Sequence, residues 1–268
     1  MVTMENKIRK LLKEGKPMVN TRIWSPWGTT AEAAAASGSF DYLEFLAEYV
    51  PYNMRELEDL VRACENQGVG SMLKVDFQNR GYVAQKAAAM GFQAILFTDH
   101  QNAEQVKETM TLITPETPAY NGRFGYPNGR WLGYNPEPSQ MEYVDMNASL
   151  VKAFMIEKKS AVDDIEAICK VPGVDMIQFG PSDYCMSIGC NSAEHKPEWK
   201  AAEKHCIEVA IANGVRPRVE LYDPKDAEYY KELGVKDFCI GDEFDILKDY
   251  WANVGGMMRK SAMEMDQS

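Results

Sequence analysis

The feature that most limits what this chain can fold into is a rhythm. Eight short runs of aliphatic, β-branched or aromatic residues recur along it: MVNTRIW (18–24), FDYLEFL (40–46), SMLKV (71–75), AILFT (94–98), KAFMI (152–156), DMIQFG (175–180), RPRVEL (216–221) and DFCIGD (237–242). Helix-like segments separate them, among them MRELEDLVRACENQG, AEQVKETMTLI, AVDDIEAICKV and PKDAEYYKELG, and several close on the glycine that a left-handed C-cap favours. Strand-then-helix alternation builds parallel sheets with helices outside. Eight such units with no Ser/Gly-rich linker predict a single α/β domain over 1–268, a (β/α)8 TIM-type barrel, with a doubly wound sheet as the competing arrangement.

The rhythm breaks between about 113 and 150, where TPETPAYNGRFGYPNGRWLGYNPEPSQMEYVDMNAS is rich in Pro, Gly, Asn and aromatic residues. A long irregular insertion in a compact domain is usually functional or disordered. Its aromatic content predicts packing over a site or against a partner subunit. Near the C-terminus, MMRKSAMEM reads as an amphipathic tail helix.

Charge and cysteine usage narrow the function. A net charge of −11 argues against nonspecific nucleic-acid binding, which needs Lys and Arg to neutralise phosphates. No window approaches the ~18 continuous apolar residues of a membrane span, and the first residues lack a signal-peptide pattern. The six cysteines have no CxxC spacing, so a reducing cytoplasm is the expected location.

A barrel collects its active site at the C-terminal ends of its strands. The residues there include Trp24, Glu48, Tyr49, Lys74, Asp99, His100, Glu157, Gly180 to Asp183, Glu220 and Asp242. Glu157 follows AFMI directly, and Asp183 lies three residues past Gly180 in QFGPSD. If the fifth and sixth strands are neighbours, both carboxylates rise from one side of the mouth within reach of one cation. Two oxygen donors suit Mg²⁺ or Mn²⁺, which keep part of their water shell. The plainer alternative is a helix cap and a solvated turn residue. Gly180 permits close backbone approach and Pro181 stiffens the turn, so the amides of Ser182 and Asp183 could seat a carboxylate. A 2-oxo acid chelating a divalent ion would use all of these groups.

FMIEKKSAVDDIEAICKVPGVDMIQFGPSDYCMSIG resembles the stretch that the HpcH/HpaI aldolase (citrate lyase β-like) family writes as a hydrophobic strand, I-E-T, a helix, then PGVD and a strand ending G-P-x-D-L-S. GKPMVNTRIWSPWGTT, GFQAILFTDHQNAEQV, GRFG, EHKPEW and YYKELGVKDFCIGDEFDIL extend the likeness to most of the chain. The resemblance implies a (β/α)8 barrel, a C-terminal helix (about 243–264) exchanged between subunits, and a trimer or hexamer. It also implies a divalent metal held by Glu157 and Asp183, with Co²⁺ a further candidate beside Mg²⁺ and Mn²⁺. The implied activity is class II aldol cleavage of 4-hydroxy-2-oxo acids through a metal-bound pyruvate enolate. Lys74 takes the place of a family arginine that stabilises the enolate oxygen, and Arg123 that of a loop arginine after the fourth strand. Trp24 and Gly180 to Asp183 would contact substrate.

The chain also departs from the pattern. Tyr49 stands where the family has the histidine of a proton-transfer dyad, and the partner aspartate falls at about Ala89. Tyr49 could be an acid, a hydrogen-bond donor or a packing residue. His100, ending AILFTDH, is the compensating acid/base candidate, while His195 and His205 read as helix residues. Decarboxylation of a 2-oxo acid, which needs no such dyad, and a non-catalytic oxo-acid-binding role are the alternatives.

Overall fold

In a computed structural model, which describes residues 5–133 and 138–265, every one of the eight runs contains a strand. They are β1 Met18–Ile23, β2 Tyr42–Leu46, β3 Gly70–Val75, β4 Ala94–Phe97, β5 Val151–Ile156, β6 Met176–Phe179, β7 Arg216–Leu221 and β8 Asp237–Asp242. Each pairs in parallel with the next, and β8 returns to β1, closing a barrel. Closure decides against the doubly wound sheet, whose outer strands would stay open. A β-bulge where β8 meets β1 sits between Asn20 and Arg22, and Gly241 supplies the left-handed backbone (φ 63°) beside it.

Strand alternation sorts the side chains into two cores. Leu73, Val75, Phe154 and Ile156 face outward and pack beneath the helices. Met18, Tyr42, Met72, Ala153 and Met176 face inward. Helix Lys7–Lys13 closes the lower end of the barrel with Ile8, its first turn capped by the Asn6 side chain. Arg9 ties that plug to the sheet through two 2.6 Å bonds to Asp175, just ahead of β6.

Midway up, the interior is polar. Arg218 of β7 is fully buried and reaches Glu44, Gln178, Asn20 and the Tyr42 hydroxyl, so three other strands, β1, β2 and β6, are bonded to one guanidinium. A buried charge is tolerated when its donors are met, and three of the partners offer oxygens at bonding distance from different strands.

The predicted irregular insertion is partly regular. A capping box of Ser139 and Glu142 starts helix Gln140–Ala148 inside it. Phe124, Tyr126 and Trp131 pack around Tyr143 of that helix, and Arg130 bonds Glu65 and the Met90 carbonyl. The segment follows helix Ala103–Ile113 and leads into β5, so it lies toward the strands' N-terminal ends and covers its own barrel rather than the cleft described below. Residues 134–137 of it lie outside the described residues. At the other terminus, helix Glu243–Tyr250 runs through a π-type turn into helix Gly256–Met265, with Trp251, Met257, Met258 and Met263 exposed. No helix among the described residues is long and apolar enough to cross a membrane.

Candidate active site

At the C-terminal ends of the strands, one open cleft of about 830 Å³ is lined by Arg22, Tyr49, Lys74, Glu157, Asp183 and Glu220, among others. Lys74 belongs to the inward set of β3, as Met72 does, and is 7% exposed. Glu157 follows the outward Ile156, so alternation returns it to the inside, where it is 3% exposed. Asp183 enters from the first turn of helix Pro181–Ser187, whose Pro181 suits that position.

Gly180 is what lets these elements meet. A Cβ there would stand 2.8 Å from Glu157 Cβ and 2.9 Å from its Oε2. Gly180, Pro181, Ser182 and Asp183 all line the cleft. The amides of Ser182 and Asp183, in the first helical turn, have no intrahelical acceptor.

Glu157 is a carboxylate short of partners. Its Oε1 accepts the Asp99 amide at 2.7 Å, and among the described residues no hydrogen bond reaches Oε2. Burial pushes its pKa up to about 7, the Asp183 and Asp99 carboxylates adding to the rise while Lys74 and the Asp99 amide oppose it. Such a group favours an arriving cation. With Asp183, whose side chain is 37% exposed and whose charge helps raise the Glu157 pKa, it could hold a partly hydrated Mg²⁺ or Mn²⁺. No group of three metal-ligating side chains occurs among the described residues, so such an ion would take its other oxygens from water and substrate.

Lys74 donates to the Tyr49 hydroxyl at 2.7 Å, pairs with Glu48 at 2.7 Å and lies 4.6 Å from the centre of the Tyr49 ring. Burial alone would lower its pKa, but the oxygens of Tyr49, Glu48 and Glu157 outweigh it, and the ammonium stays charged. Burial of the Tyr49 hydroxyl pushes that group up to about 12, although the ring is half exposed at the rim. Tyr49 is therefore a neutral donor and acceptor near neutral pH.

Three sequence expectations are corrected. His100 is buried between β4 and helix Ala103–Ile113, boxed by Phe77, Phe97 and Phe154, and takes no part in the cleft. Its Nδ1 lies 2.9 Å from the Thr98 carbonyl and its Nε2 2.6 Å from Thr109 Oγ1. A carbonyl can only accept, so Nδ1 carries the proton and Nε2 takes the threonine hydroxyl. β4 ends before Asp99, whose left-handed backbone (φ 62°) turns Asp99 toward the cleft residues and His100 away. Trp24 stacks between Tyr49 and Phe244 and stands behind the cleft wall, held there as Glu243 accepts the amides of Trp24 and Ser25. Arg123 is exposed, its amide bonded to Thr111 near the C-terminal end of helix Ala103–Ile113, away from the cleft.

The remaining sequence positions fall in plain places. Ala89 lies near the end of helix Tyr82–Met90, His205 is exposed, and His195 precedes helix Lys196–Ala212. Two cations escaped the sequence reading. Arg22 of β1 pairs with Glu220 at 2.7 Å and Asp242 at 3.0 Å in the cleft wall. Lys158, directly after Glu157, pairs with Asp99 at 2.7 Å and Asp183 at 3.3 Å. The second was visible as a departure, since the resembled motif has threonine there.

Burial pulls the His100 pKa down to about 4. A depressed base stabilises the fold above its unfolded pKa near 6.5, and that contribution is lost as pH falls through about 4. The expected stability advantage of wild type over His100→Gln therefore shrinks by roughly 2 to 3 kcal/mol between pH 7 and pH 4. Urea unfolding at the two pH values measures it, and turnover per folded molecule at pH 7 stays unchanged.

Comparison with known proteins agrees with this fold. The model of the HpcH/HpaI aldolase/citrate lyase family matches residues 52–234, a span that includes Lys74, Glu157 and Asp183. A 4-hydroxy-2-oxo-heptane-1,7-dioate aldolase of Escherichia coli is 25% identical over 244 residues, covering 91% of each chain. The crystal structure of an HpcH/HpaI aldolase from Desulfitobacterium hafniense superposes with a TM-score of 0.85 at 24% identity, covering 94% of this chain and 96% of that one. A citrate synthase structure superposes at 0.81 with 22% identity over 98% of this chain and 100% of its own, a likeness of fold. With more than half its length matched, and the charged cleft at the expected strand ends, the chain belongs to the HpcH/HpaI aldolase/citrate lyase family.

Proposed function

We propose that the chain is a divalent-metal-dependent carbon–carbon lyase that cleaves or forms 4-hydroxy-2-oxo acids, with pyruvate enolate as the intermediate. Membership of the family and the E. coli aldolase relative support the lyase activity on 2-oxo acids. The single observation that carries the metal dependence is Glu157, a buried carboxylate whose Oε2 has no hydrogen bond among the described residues and lies beside Gly180, with Asp183 close enough to raise its pKa. A divalent ion held by Glu157 and Asp183 would act as a Lewis acid toward the oxo acid.

The chain's own residues do the rest. The Ser182 and Asp183 amides seat the substrate carboxylate. Lys74 places a fixed positive charge where the keto oxygen gains electron density, and the site spends nothing on reorganising it because Glu48 and Tyr49 already hold the ammonium. Tyr49, protonated near neutral pH, donates a hydrogen bond at the rim. It is not the base that removes the 4-hydroxyl proton. The tail helix after Tyr250, with its exposed apolar residues, docks on a neighbouring copy in a trimer or hexamer.

A second reading, metal-dependent decarboxylation of a 2-oxo acid, is favoured by Tyr49 itself. Loss of CO₂ leaves the same enolate without any hydroxyl proton to remove. Purified protein given Mn²⁺ or Mg²⁺ and a panel of 4-hydroxy-2-oxo acids should release pyruvate and aldehyde. Release of CO₂ from an oxaloacetate-like acid, with no aldehyde formed from the panel, would favour the second reading, and no turnover of either kind would defeat both.

Lys74→Met is expected to lower kcat/KM by about 10²- to 10³-fold, the usual effect of losing one oxyanion-stabilising group. Lys74→Arg should recover part of it, because the charge returns. Equal losses in the two variants would show that packing, and not charge, is what Lys74 contributes.

A further inference from the structure

We propose that Lys158 is an internal cation that competes with the divalent ion for Asp183 and so sets how tightly this chain holds metal. The inference rests on Glu157 and Asp183 being the metal-holding pair. Lys158 has extended backbone (φ −123°, ψ 144°) directly after the inward Glu157, so its side chain leaves the opposite side of the chain. It does not line the cleft, yet its ammonium reaches Oδ1 of Asp183, which does.

The ammonium stands between two carboxylates, 2.7 Å from Asp99 Oδ1 and 3.3 Å from Asp183 Oδ1, on a side chain only 20% exposed. Asp99 is the single non-glycine residue with a positive φ among the described residues. Strained backbone of this kind persists where its surroundings over-determine it, and it collects at functional sites. Here the left-handed turn gives Asp99 two tasks: its amide holds Glu157 Oε1, and its carboxylate holds Lys158. One residue thus links both members of the seat.

The consequence is electrostatic. Glu157, Asp99 and Asp183 together face two ammonium groups, those of Lys74 and Lys158. A dication approaching Asp183 meets a like charge already paired with one of its two oxygens. Binding requires Lys158 to withdraw onto Asp99, which is the nearer of its two partners. The resembled motif has a neutral threonine at this position, so the competition is particular to this sequence. Half-saturation would then require a higher free metal concentration than the two carboxylates alone dictate.

The test is Mn²⁺ affinity, read from the free-ion EPR signal and from calorimetry on the full chain without substrate. Lys158→Met is expected to bind Mn²⁺ about tenfold more tightly, the scale of one like charge removed from a partly buried site. Lys158→Arg should stay within about twofold of wild type, since the charge is kept. Thermal melting of each variant separates folding loss from binding change. Glu157-dependent Mn²⁺ binding that Lys158→Met leaves unchanged or weakens overturns the competition alone. Wild type with no Mn²⁺ site that Glu157→Gln removes overturns the metal reading and this inference with it.

Discussion

Glu157→Gln is expected to abolish Mn²⁺ binding and to lower turnover by about 10³-fold or more, since the lost carboxylate is one of only two in the metal seat. The same substitution should stabilise the metal-free protein. A carboxylate whose folded pKa is raised to about 7 contributes its stability below the ordinary value near 4.5, and that stability is lost as pH rises through about 7. Metal-free wild type should therefore be roughly 3 kcal/mol less stable at pH 8 than at pH 4.5 on account of this group, and Glu157→Gln should lack that component. Adding Mn²⁺ at pH 8 should raise the melting temperature of wild type and leave the variant where it was. A variant that keeps both metal binding and turnover would remove the basis of the proposed function.

Arg218→Met is expected to cost about 3 to 5 kcal/mol of folding stability, the penalty for leaving a buried charge unpaired. The unpaired group would be Glu44, 1% exposed, together with the side-chain oxygens of Asn20 and Gln178. Arg218→Met with Glu44→Leu should recover much of the loss, because removing both charges leaves no orphan. Chemical denaturation of the single and double variants, with an unchanged m-value, measures both quantities. A double variant no more stable than the single one would mean that Arg218 acts through its remaining hydrogen bonds. Gln178 also lines the cleft, so the single variant should lose activity as well.

Much of the fold could be read along the chain because the code for it is local. Strand-length runs such as AILF and KAFMI bury both faces, and the glycines after helices mark their ends; neither signal depends on distant residues. The position of the two carboxylates was legible for a related reason. A residue that follows a barrel strand lies at the mouth, and Glu157 and Asp183 stand after adjacent strands. The insertion was less legible because Pro and Gly mark turns strongly, while Ser139 and Glu142 mark a helix only through a pair of hydrogen bonds three residues apart.

His100 and Lys158 show where sequence position ceases to inform. Both lie one residue past a group that faces the site, and which way each turns depends on one backbone angle. A left-handed Asp99 sends His100 into an aromatic box, and an extended Lys158 just past β5 reaches Asp183. Arg218 is the same lesson inside the barrel, since an arginine on a strand reads as an edge or surface residue until three other strands are seen to supply its oxygens. The sequence by itself determined the eight strand–helix units, the strand-end carboxylates and the absence of the dyad that the resemblance implies, because periodicity and residue identity are properties of the chain alone. The tertiary structure decided which charges share a partner, because an ion pair depends on distances between strands that no spacing along the chain records.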